Sequence, residues 1–195
     1  MCGRYFFDLD SEELSALYQK IQDQARREEK LAEKIAAGEV YPSNHVVTLI
    51  QEDNQVMPTL TRWGFQGFKK SQLMINARSE TVEQKKTFVH PFRTTRCIFP
   101  MSGFYEWDSN KQKFFFTNNQ ILYVGGFYRI HPSDSGNEKE SIIMTTSPNQ
   151  SVSEVHDRMP FLVDKKDVSS YLSDLTFARN LIGKAMPELT ATLIS

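Results

Sequence analysis

The first hydrophobic pattern in the chain has a helical period. Across residues 10–38 the apolar side chains recur every three or four positions, which is the spacing of one helix face. The segment opens with DSEE, so acidic residues occupy the first turn, where the helix dipole favours them. Gly38 is a candidate C-cap and Pro42 prevents continuation. The pattern predicts one amphipathic helix over residues 10–38.

The pattern then changes to short β-branched and aromatic runs separated by Gly, Pro, Asn and Ser, which predicts strands. TNNQ (117–120) is typical of a hairpin turn, and the polar stretch 131–140 is typical of a mobile surface loop. Short helices are predicted within 152–158 and 164–186. The predicted strands cover residues 45–50, 56–63, 96–100, 103–107, 113–117, 121–128 and 141–146.

These elements predict an α+β fold dominated by non-local antiparallel strands. No repeat and no interdomain linker interrupts the sequence, so we expect one domain over residues 1–195. A hydrophobic fraction of 39% with 14 Phe is enough for a sizeable core. No apolar run approaches the ~20 residues of a membrane span, and charges in the first ten residues exclude a signal peptide.

Cysteine usage narrows the chemistry. Cys2 and Cys97 are too few for a disulfide framework and do not form a zinc pattern. We therefore expect a reducing, cytoplasmic location, no metal and no organic cofactor. The net charge of −1 at first argues against nucleic acid. Residues 60–100, however, carry eight basic and two acidic side chains, a local excess of six that could form one anion-binding face or merely a solvated surface.

Cys2 directly follows the initiator methionine, in MCGRY. Removal of Met1 would leave a free α-amine and a thiol on adjacent carbons, a pair that no internal cysteine offers. A 1,2-aminothiol condenses with an aldehyde to an imine and then closes a five-membered thiazolidine. The reference pKa values of about 8 for the amine and about 8.5 for the thiol lie near neutrality. An N-terminal thiol can also serve as a hydrolase nucleophile.

Two extended motifs bring polar side chains to one face. In MINARSET, Asn76, Arg78 and Glu80 would point the same way if the segment is a strand. In SGFYEWD, Glu106 alternates with large aromatic residues and should be partly desolvated, which raises its pKa and suits it to acid–base work. A polar strand edge is the alternative for both.

Two further motifs carry candidate chemistry. His156, in VHDRMP, titrates near neutrality, and the adjacent Arg158 could orient a substrate or close a salt bridge. In LTRWGF, Trp63 lies beside Arg62 in the basic middle, where an exposed tryptophan would form a platform for an unstacked base. A core tryptophan and a structural histidine are the alternatives.

MCGRY, RWG, NARSET, GFYEW and HDRMP, in this order over nearly the whole chain, resemble the SOS response-associated peptidase (SRAP) family of abasic-site processing proteins. The resemblance implies a bent or bifurcated antiparallel sheet, partly closed like a barrel, with helices around it. It also implies binding of single-stranded DNA at an abasic site, whose ring-opened aldehyde the mature N-terminal cysteine captures as a thiazolidine. A monomer in contact with DNA in the nucleoid is expected.

By the same resemblance, Asn76 positions the amine and the sugar, Glu106 shuttles protons, and His156 protonates the sugar oxygen. Phosphates are expected at Arg4 and Arg78, with Gly3 allowing close approach of the DNA backbone. The remaining expected DNA contacts are Trp63 (base stacking), Arg62 and Arg158. Two alternatives stay open: a thiol peptidase, which could include removal of its own Met1, and a non-covalent single-strand-binding module that does not need Cys2.

Overall fold

The computed structural model describes residues 2–27, 35–67, 72–133 and 136–194. In chain order its strands are β1 (Tyr5–Phe7), β2 (Gly38–Val40), β3 (His45–Glu52), β4 (Gln55–Trp63), β5 (Phe65–Gln66), β6 (Leu73–Met74), β7 (Asn76–Arg78), β8 (Arg96–Met101), β9 (Gly103–Trp107), β10 (Lys113–Thr117), β11 (Leu122–Ser133), β12 (Gly136–Thr146), β13 (Met159–Pro160), β14 (Leu162–Val163) and β15 (Thr190–Ile194). The helices are α1 (Glu12–Arg27), α2 (Lys86–Thr94), α3 (Gln150–Ser153), α4 (Val168–Ser173) and α5 (Leu175–Leu181), with 3₁₀ turns at Ser79–Thr81 and Lys165–Asp167.

The larger sheet closes on itself. Strands β12, β4, β3, β8 and β11 pair in that order, and β11 pairs again with β12, so these five form a small barrel. Most pairings are antiparallel, as predicted, whereas β4 and β7 both run parallel to β12. The strands are rich in β-branched and aromatic residues, and buried side chains lie on both of their faces, because consecutive residues such as Ile98 and Phe99 point to opposite sides.

The second sheet has the strand order β15–β10–β9–β1–β2. The chain passes directly from β8 to β9, so a single bend at Ser102 joins the barrel to this sheet. Burial alternates along β1 and from Phe104 along β9: Tyr5, Phe7, Phe104 and Glu106 are buried, whereas Phe6, Tyr105 and Trp107 are partly exposed. The architecture confirms the α+β class and the partly barrel-like sheet with surrounding helices.

The first helix does not extend to residue 38 as predicted, because residues 35–38 are not helical and Ile35 forms a bridge with His45. Helix α1 begins at Glu12 and ends at Arg27, with Leu14, Ile21 and Ala25 buried against the barrel strands β3 and β4. Residues 28–34 of the predicted helix lie outside the described residues. Gly38 does not cap a helix: with φ +69° it begins β2, which pairs with β1. Pairing between distant segments decides this region, and local periodicity could not reveal it.

Two turn and loop predictions are wrong for the same reason. TNNQ does not close a hairpin, because β10 pairs within the second sheet while β11 pairs within the barrel. Residues 131–133 and 136–140, predicted as loop, extend the β11–β12 hairpin as far as the pair Ser133 and Gly136. The polar residues Glu138 and Glu140 lie in a strand because Arg62 and Arg129 neutralise them.

Candidate functional site

Cys2 lies three residues before the start of β1, and its side chain is fully buried. Its carbonyl oxygen accepts a hydrogen bond of 2.9 Å from Nδ2 of Asn76, and its Sγ lies 4.0 Å from the carbonyl oxygen of Arg4. Burial, and then the nearby Glu106 carboxylate, raise the pKa of the Cys2 thiol well above its usual range. The thiol is therefore kept protonated until a local base removes the proton.

Asn76 is positioned by β7, which runs parallel to β12 and places Asn76 opposite Ile143. The bond from Nδ2 to Cys2 fixes the orientation of the amide. Its Oδ1 is buried and has no hydrogen-bond partner among the described residues. An unsatisfied buried acceptor is costly, so this oxygen is suited to receive a donor from a neighbouring group.

Glu106 is buried on the same face of β9 as Phe104. Burial raises the pKa of Glu106 from its ordinary 4.5 to about 7, and the charge of Asp157 acts in the same direction. The sequence predicted the desolvation of Glu106 and the direction of this pKa shift. A carboxyl group with this pKa can accept and donate protons near neutral pH.

His156 follows α3 and approaches Glu106 from the barrel side. Its Nε2 lies 3.8 Å from Oε2 of Glu106. Nδ1 lies 3.0 Å from the backbone N–H of Arg158, which can only donate, and 3.2 Å from the carbonyl oxygen of Arg158, which can only accept. Asp157 also lies 3.1 Å from Nδ1, but its carboxylate is 84% exposed and screened by water. Burial lowers the pKa of His156.

The structure thus brings Cys2, Asn76, Glu106 and His156 together from four segments that are distant in sequence. They form a continuous set of contacts and charges around the cysteine: a held backbone, an orphaned amide oxygen, and a carboxyl–imidazole pair. This arrangement can hold Cys2 still and move protons beside it.

The comparisons with known proteins match this picture. The family model "SOS response associated peptidase (SRAP)" matches residues 1–192. The chain belongs to the SRAP family. It is 30% identical over 185 residues to the abasic site processing protein YoqW of Bacillus subtilis, covering 89% of this chain and 80% of that protein. It is also 30% identical over 136 residues to YoaM of the same organism, named likewise, covering 64% and 60% of the two chains.

Solved structures share the fold of this SRAP chain. A protein from Bacteroides thetaiotaomicron superposes with a TM-score of 0.77 at 19% identity, covering 100% of this chain and 92% of that one. A protein from Bordetella bronchiseptica superposes with a TM-score of 0.75 at 18% identity, covering 100% of both chains. At these identities the similarity establishes the architecture.

We call Cys2, Asn76, Glu106 and His156 the quartet. Three predicted DNA contacts lie near it. Gly3 is half-buried and connects Cys2 to Arg4, whose side chain is 29% exposed. Arg78 is exposed at the end of β7, two residues after Asn76. Glu80, however, does not share the face of Asn76 and Arg78 as predicted, because the chain turns into the 3₁₀ helix Ser79–Thr81.

The prediction of an exposed Trp63 is wrong. Its side chain is fully buried, with Nε1 donating a 3.1 Å hydrogen bond to the carbonyl oxygen of Ile75. Its ring packs against Tyr5 and Phe99, with centroids 5.4 Å and 6.5 Å away. Trp63 therefore belongs to the core between the two sheets and offers no face to a base.

Two arginines predicted to contact DNA instead pair with the protein's own carboxylates. Arg62 donates to Glu138 at 2.9 Å and also contacts the fully buried Glu140. Arg158 forms a bidentate pair with Glu80 at 2.9 and 2.8 Å and also donates to the carbonyl oxygen of Thr145. Both DNA contacts stay predictions, and for Arg158 the structure shows the salt bridge that the sequence offered as the alternative.

The basic middle of the sequence does not form one anion-binding face. Arg96 is buried and donates to backbone carbonyl oxygens, including those of Tyr171 and Leu172, while Arg93 pairs with Glu83. Lys69 and Lys70 lie outside the described residues. Lys85 and Lys86 are exposed and fit the alternative of a solvated surface.

Sequence reasoning missed a charged cluster on the outer face of the second sheet. It consists of Glu39, Arg4, Lys113 and Tyr41, and we call it the Glu39 cluster. Arg4 also lies over the ring of Trp107, 5.0 Å from its centroid. The alternation in GFYEW predicted that Trp107 faces away from Glu106, but only the pairing of β2 with β1 brings Glu39 here.

Within the described segments, no group of three or more His, Cys, Asp or Glu side chains is arranged to hold a metal ion. The described helices also include none that is long and apolar enough to cross a membrane.

Proposed function

We propose that this SRAP protein captures abasic sites in single-stranded DNA covalently, through the amine and thiol of a Cys2 that removal of Met1 makes N-terminal. The observation that carries the proposal is the placement of a carboxyl group with a pKa of about 7 beside a cysteine held by Asn76. The names of the curated relatives, abasic site processing proteins, support the lesion as the substrate.

The chemistry balances without an oxidant or a reductant. The ring-opened abasic sugar presents an aldehyde carbon, and the amine of Cys2 adds to it. The resulting carbinolamine loses water and becomes an imine. The thiol then adds across the C=N bond and its proton passes to nitrogen, which closes the thiazolidine. One water is lost overall, and every step moves a proton.

The quartet supplies those protons. Glu106, close to half-ionised at neutral pH, can accept a proton from the amine or thiol and return it to the departing hydroxyl. The orphaned Oδ1 of Asn76 is suited to accept from the amine and orient it. Glu106, 3.8 Å from Nε2 of His156, can protonate the imidazole, and the resulting imidazolium can protonate the sugar oxygen during ring opening.

The burial of Cys2 favours single-stranded DNA. A fully buried cysteine cannot reach a sugar inside a stacked duplex, and extruding that nucleotide would cost a few kcal/mol. A single strand presents the lesion without this cost. Arg78, exposed two residues from Asn76, is placed to hold a phosphate next to the lesion.

The thiol peptidase alternative is less well supported. A peptidase needs a thiolate, usually made by an adjacent histidine. Here burial and Glu106 raise the pKa of the Cys2 thiol, which disfavours the thiolate. A non-covalent binding module would leave the arrangement around Cys2 without a purpose.

Intact-mass spectrometry tests the proposal directly. The purified protein, first checked for loss of Met1, is incubated with a single-stranded oligonucleotide carrying one abasic site. We expect a mass gain of the oligonucleotide minus one water, mapped to Cys2 and absent in Cys2→Ala. The buried Cys97→Ala is the matched control and should still form the adduct. A processed N-terminus without any adduct would refute covalent capture, and peptide cleavage without DNA would favour the peptidase.

A further inference from the structure

The Glu39 cluster contains three donors that converge on one carboxylate. Lys113 Nζ lies 2.5 Å and Arg4 Nη1 3.3 Å from Oε1 of Glu39, and the hydroxyl of Tyr41 donates to Oε2 at 3.2 Å. These donors come from separate parts of the sheet: the residue before β1, the first residue of β10 and the residue after β2. Independent elements therefore build a site for a single anionic group.

The cluster lies on the opposite face of the sheet from Glu106. The register pairs Phe6 with Glu39 and Trp107 with Lys113, and both pairs face outward. The proposed chemistry at Cys2 therefore does not use these side chains, although Arg4 is only two residues from Cys2. Two extended residues span at most about 7 Å. A strand bound at Cys2 consequently passes close to Arg4.

Aromatic rings hold the two cations in place. The Arg4 guanidinium lies 4.3 Å from the ring centroid of Tyr41 and 5.0 Å from that of Trp107. Lys113 Nζ lies 4.0 Å from the ring centroid of Tyr105. Side-chain exposure of 29% for Arg4, 29% for Glu39 and 25% for Lys113 leaves the cluster open to solvent. The cations are thus preorganised and accessible.

A phosphate at Arg4 is already expected from the resemblance to the SRAP family. We propose that Lys113 and Tyr41 complete this site for a backbone phosphate of single-stranded DNA, and that the Glu39 carboxylate occupies the site while DNA is absent. A phosphodiester has the same single charge as a carboxylate and also offers two acceptor oxygens. The Nε of Arg4 has no acceptor among the described residues, so the site has donor capacity that Glu39 does not use. The inference rests on the proposed function only for the identity of the ligand as DNA.

Glu39 then acts as a specificity-determining residue. Its hydrogen bond from Lys113, with the other cluster contacts, holds the pKa of Glu39 below its usual range, so protonation does not vacate the site at neutral pH. A phosphate must displace the carboxylate. This competition weakens binding to any single strand, whereas covalent capture would retain a strand that carries an aldehyde.

The experiment measures binding of an undamaged single-stranded oligonucleotide to the full-length protein by fluorescence anisotropy at several salt concentrations. Without an abasic site no adduct can form. We expect Glu39→Gln to tighten binding about threefold to tenfold and to steepen the slope of log K against log salt by about 0.7. Lys113→Met should weaken binding and should reduce the gain from Glu39→Gln in the double variant. Glu52→Gln, an exposed glutamate on β3, removes the same charge as a control and should change affinity less than twofold.

The outcomes separate this inference from the proposed function. Unchanged or weaker binding by Glu39→Gln would mean that Glu39 only holds the Arg4 side chain in position. This result would overturn the phosphate site even if the wild-type protein forms the adduct. Tighter binding with the expected salt slope supports the site even if Cys2 captures no abasic DNA. Failure of every variant to bind single strands overturns the site.

Discussion

At the scale of single residues, the most informative group is Glu106. Its place in a strand between two large aromatic residues is enough to predict partial desolvation and a raised pKa. The structure adds the neighbours that make the shifted pKa useful, because Cys2 and His156 reach the same carboxyl group from distant segments. A buried carboxyl group with neither neighbour would only destabilise the fold.

Glu106→Gln tests this role through pH. We expect adduct formation at pH 7 to slow by about 100-fold or more, and the inflection near pH 7 in the wild-type rate profile to disappear. Single-turnover rates measured from pH 5 to 9 check this, with Glu52→Gln as control. A Glu106→Gln profile that keeps both the rate and the inflection would exclude Glu106 as the proton shuttle.

The same pKa shift affects stability. The folded protein binds the Glu106 proton more tightly than the unfolded chain does. Proton binding at Glu106 therefore stabilises the fold fully below pH 4.5, and this stabilisation is lost as pH rises through about 7. The loss amounts to at most about 3 kcal/mol. Urea titrations at pH 5 and pH 8 should show a smaller pH-dependent decrease in unfolding free energy for Glu106→Gln. Equal decreases in both proteins would contradict the assignment.

At the scale of elements, Trp63 shows how strand position outweighs sequence context. It is the last residue of β4, where the barrel meets the second sheet, and it is covered on one side by Tyr5 of β1 and on another by Phe99 of β8. Its neighbour Arg62 faces the other way, toward Glu138 and Glu140 of β12. The RWG motif is thus part of the framework that connects the sheets.

Trp63→Phe should therefore change stability and leave DNA binding intact. The variant loses the hydrogen bond to Ile75 and leaves a small cavity, so we expect the unfolding free energy to fall by about 1–3 kcal/mol. Affinity for single-stranded DNA should change less than twofold. Urea denaturation and anisotropy measure the two effects, with the half-exposed Trp107→Phe as the stability control. A tenfold loss of affinity at unchanged stability would restore the stacking role.

At the scale of the whole molecule, the site depends on links between segments far apart in sequence. Arg158 and Glu80 are 78 residues apart and form a bidentate pair. The pair ties the loop of His156 to the 3₁₀ turn that follows Asn76. Its hydrogen bonds from Arg158 lower the pKa of Glu80. The Arg158–Glu80 pair thus connects the two segments that carry His156 and Asn76.

A double-mutant cycle measures the coupling energy between Arg158 and Glu80. Unfolding free energies of wild type, Glu80→Gln, Arg158→Met and the double variant should give a coupling energy of about 1 kcal/mol, because Glu80 is 38% exposed and water screens the pair. Adduct formation should slow in both single variants. A coupling energy indistinguishable from zero would show that the two residues act independently.

The sequence by itself predicted helix α1 and the strands β3, β4 and β8–β12, because their patterns are local. It also predicted the desolvation of Glu106, and its resemblance to the SRAP family predicted the group Cys2, Asn76, Glu106 and His156. Strand alternation needs only neighbouring residues, and the MCGRY motif places the cysteine beside the initiator methionine. These properties can be predicted without knowledge of the tertiary contacts.

Only the tertiary structure decided which residues pair, pack and form ion pairs with each other. Gly38 begins a strand because β1 lies beside it, Trp63 is buried because two sheets meet there, and the polar residues 136–140 are extended because arginines neutralise their glutamates. An arginine has the same charge whether its counterion is a DNA phosphate or a carboxylate of its own chain. Burial and ion pairing are properties of contacts between distant segments, and those contacts exist only once the chain has folded.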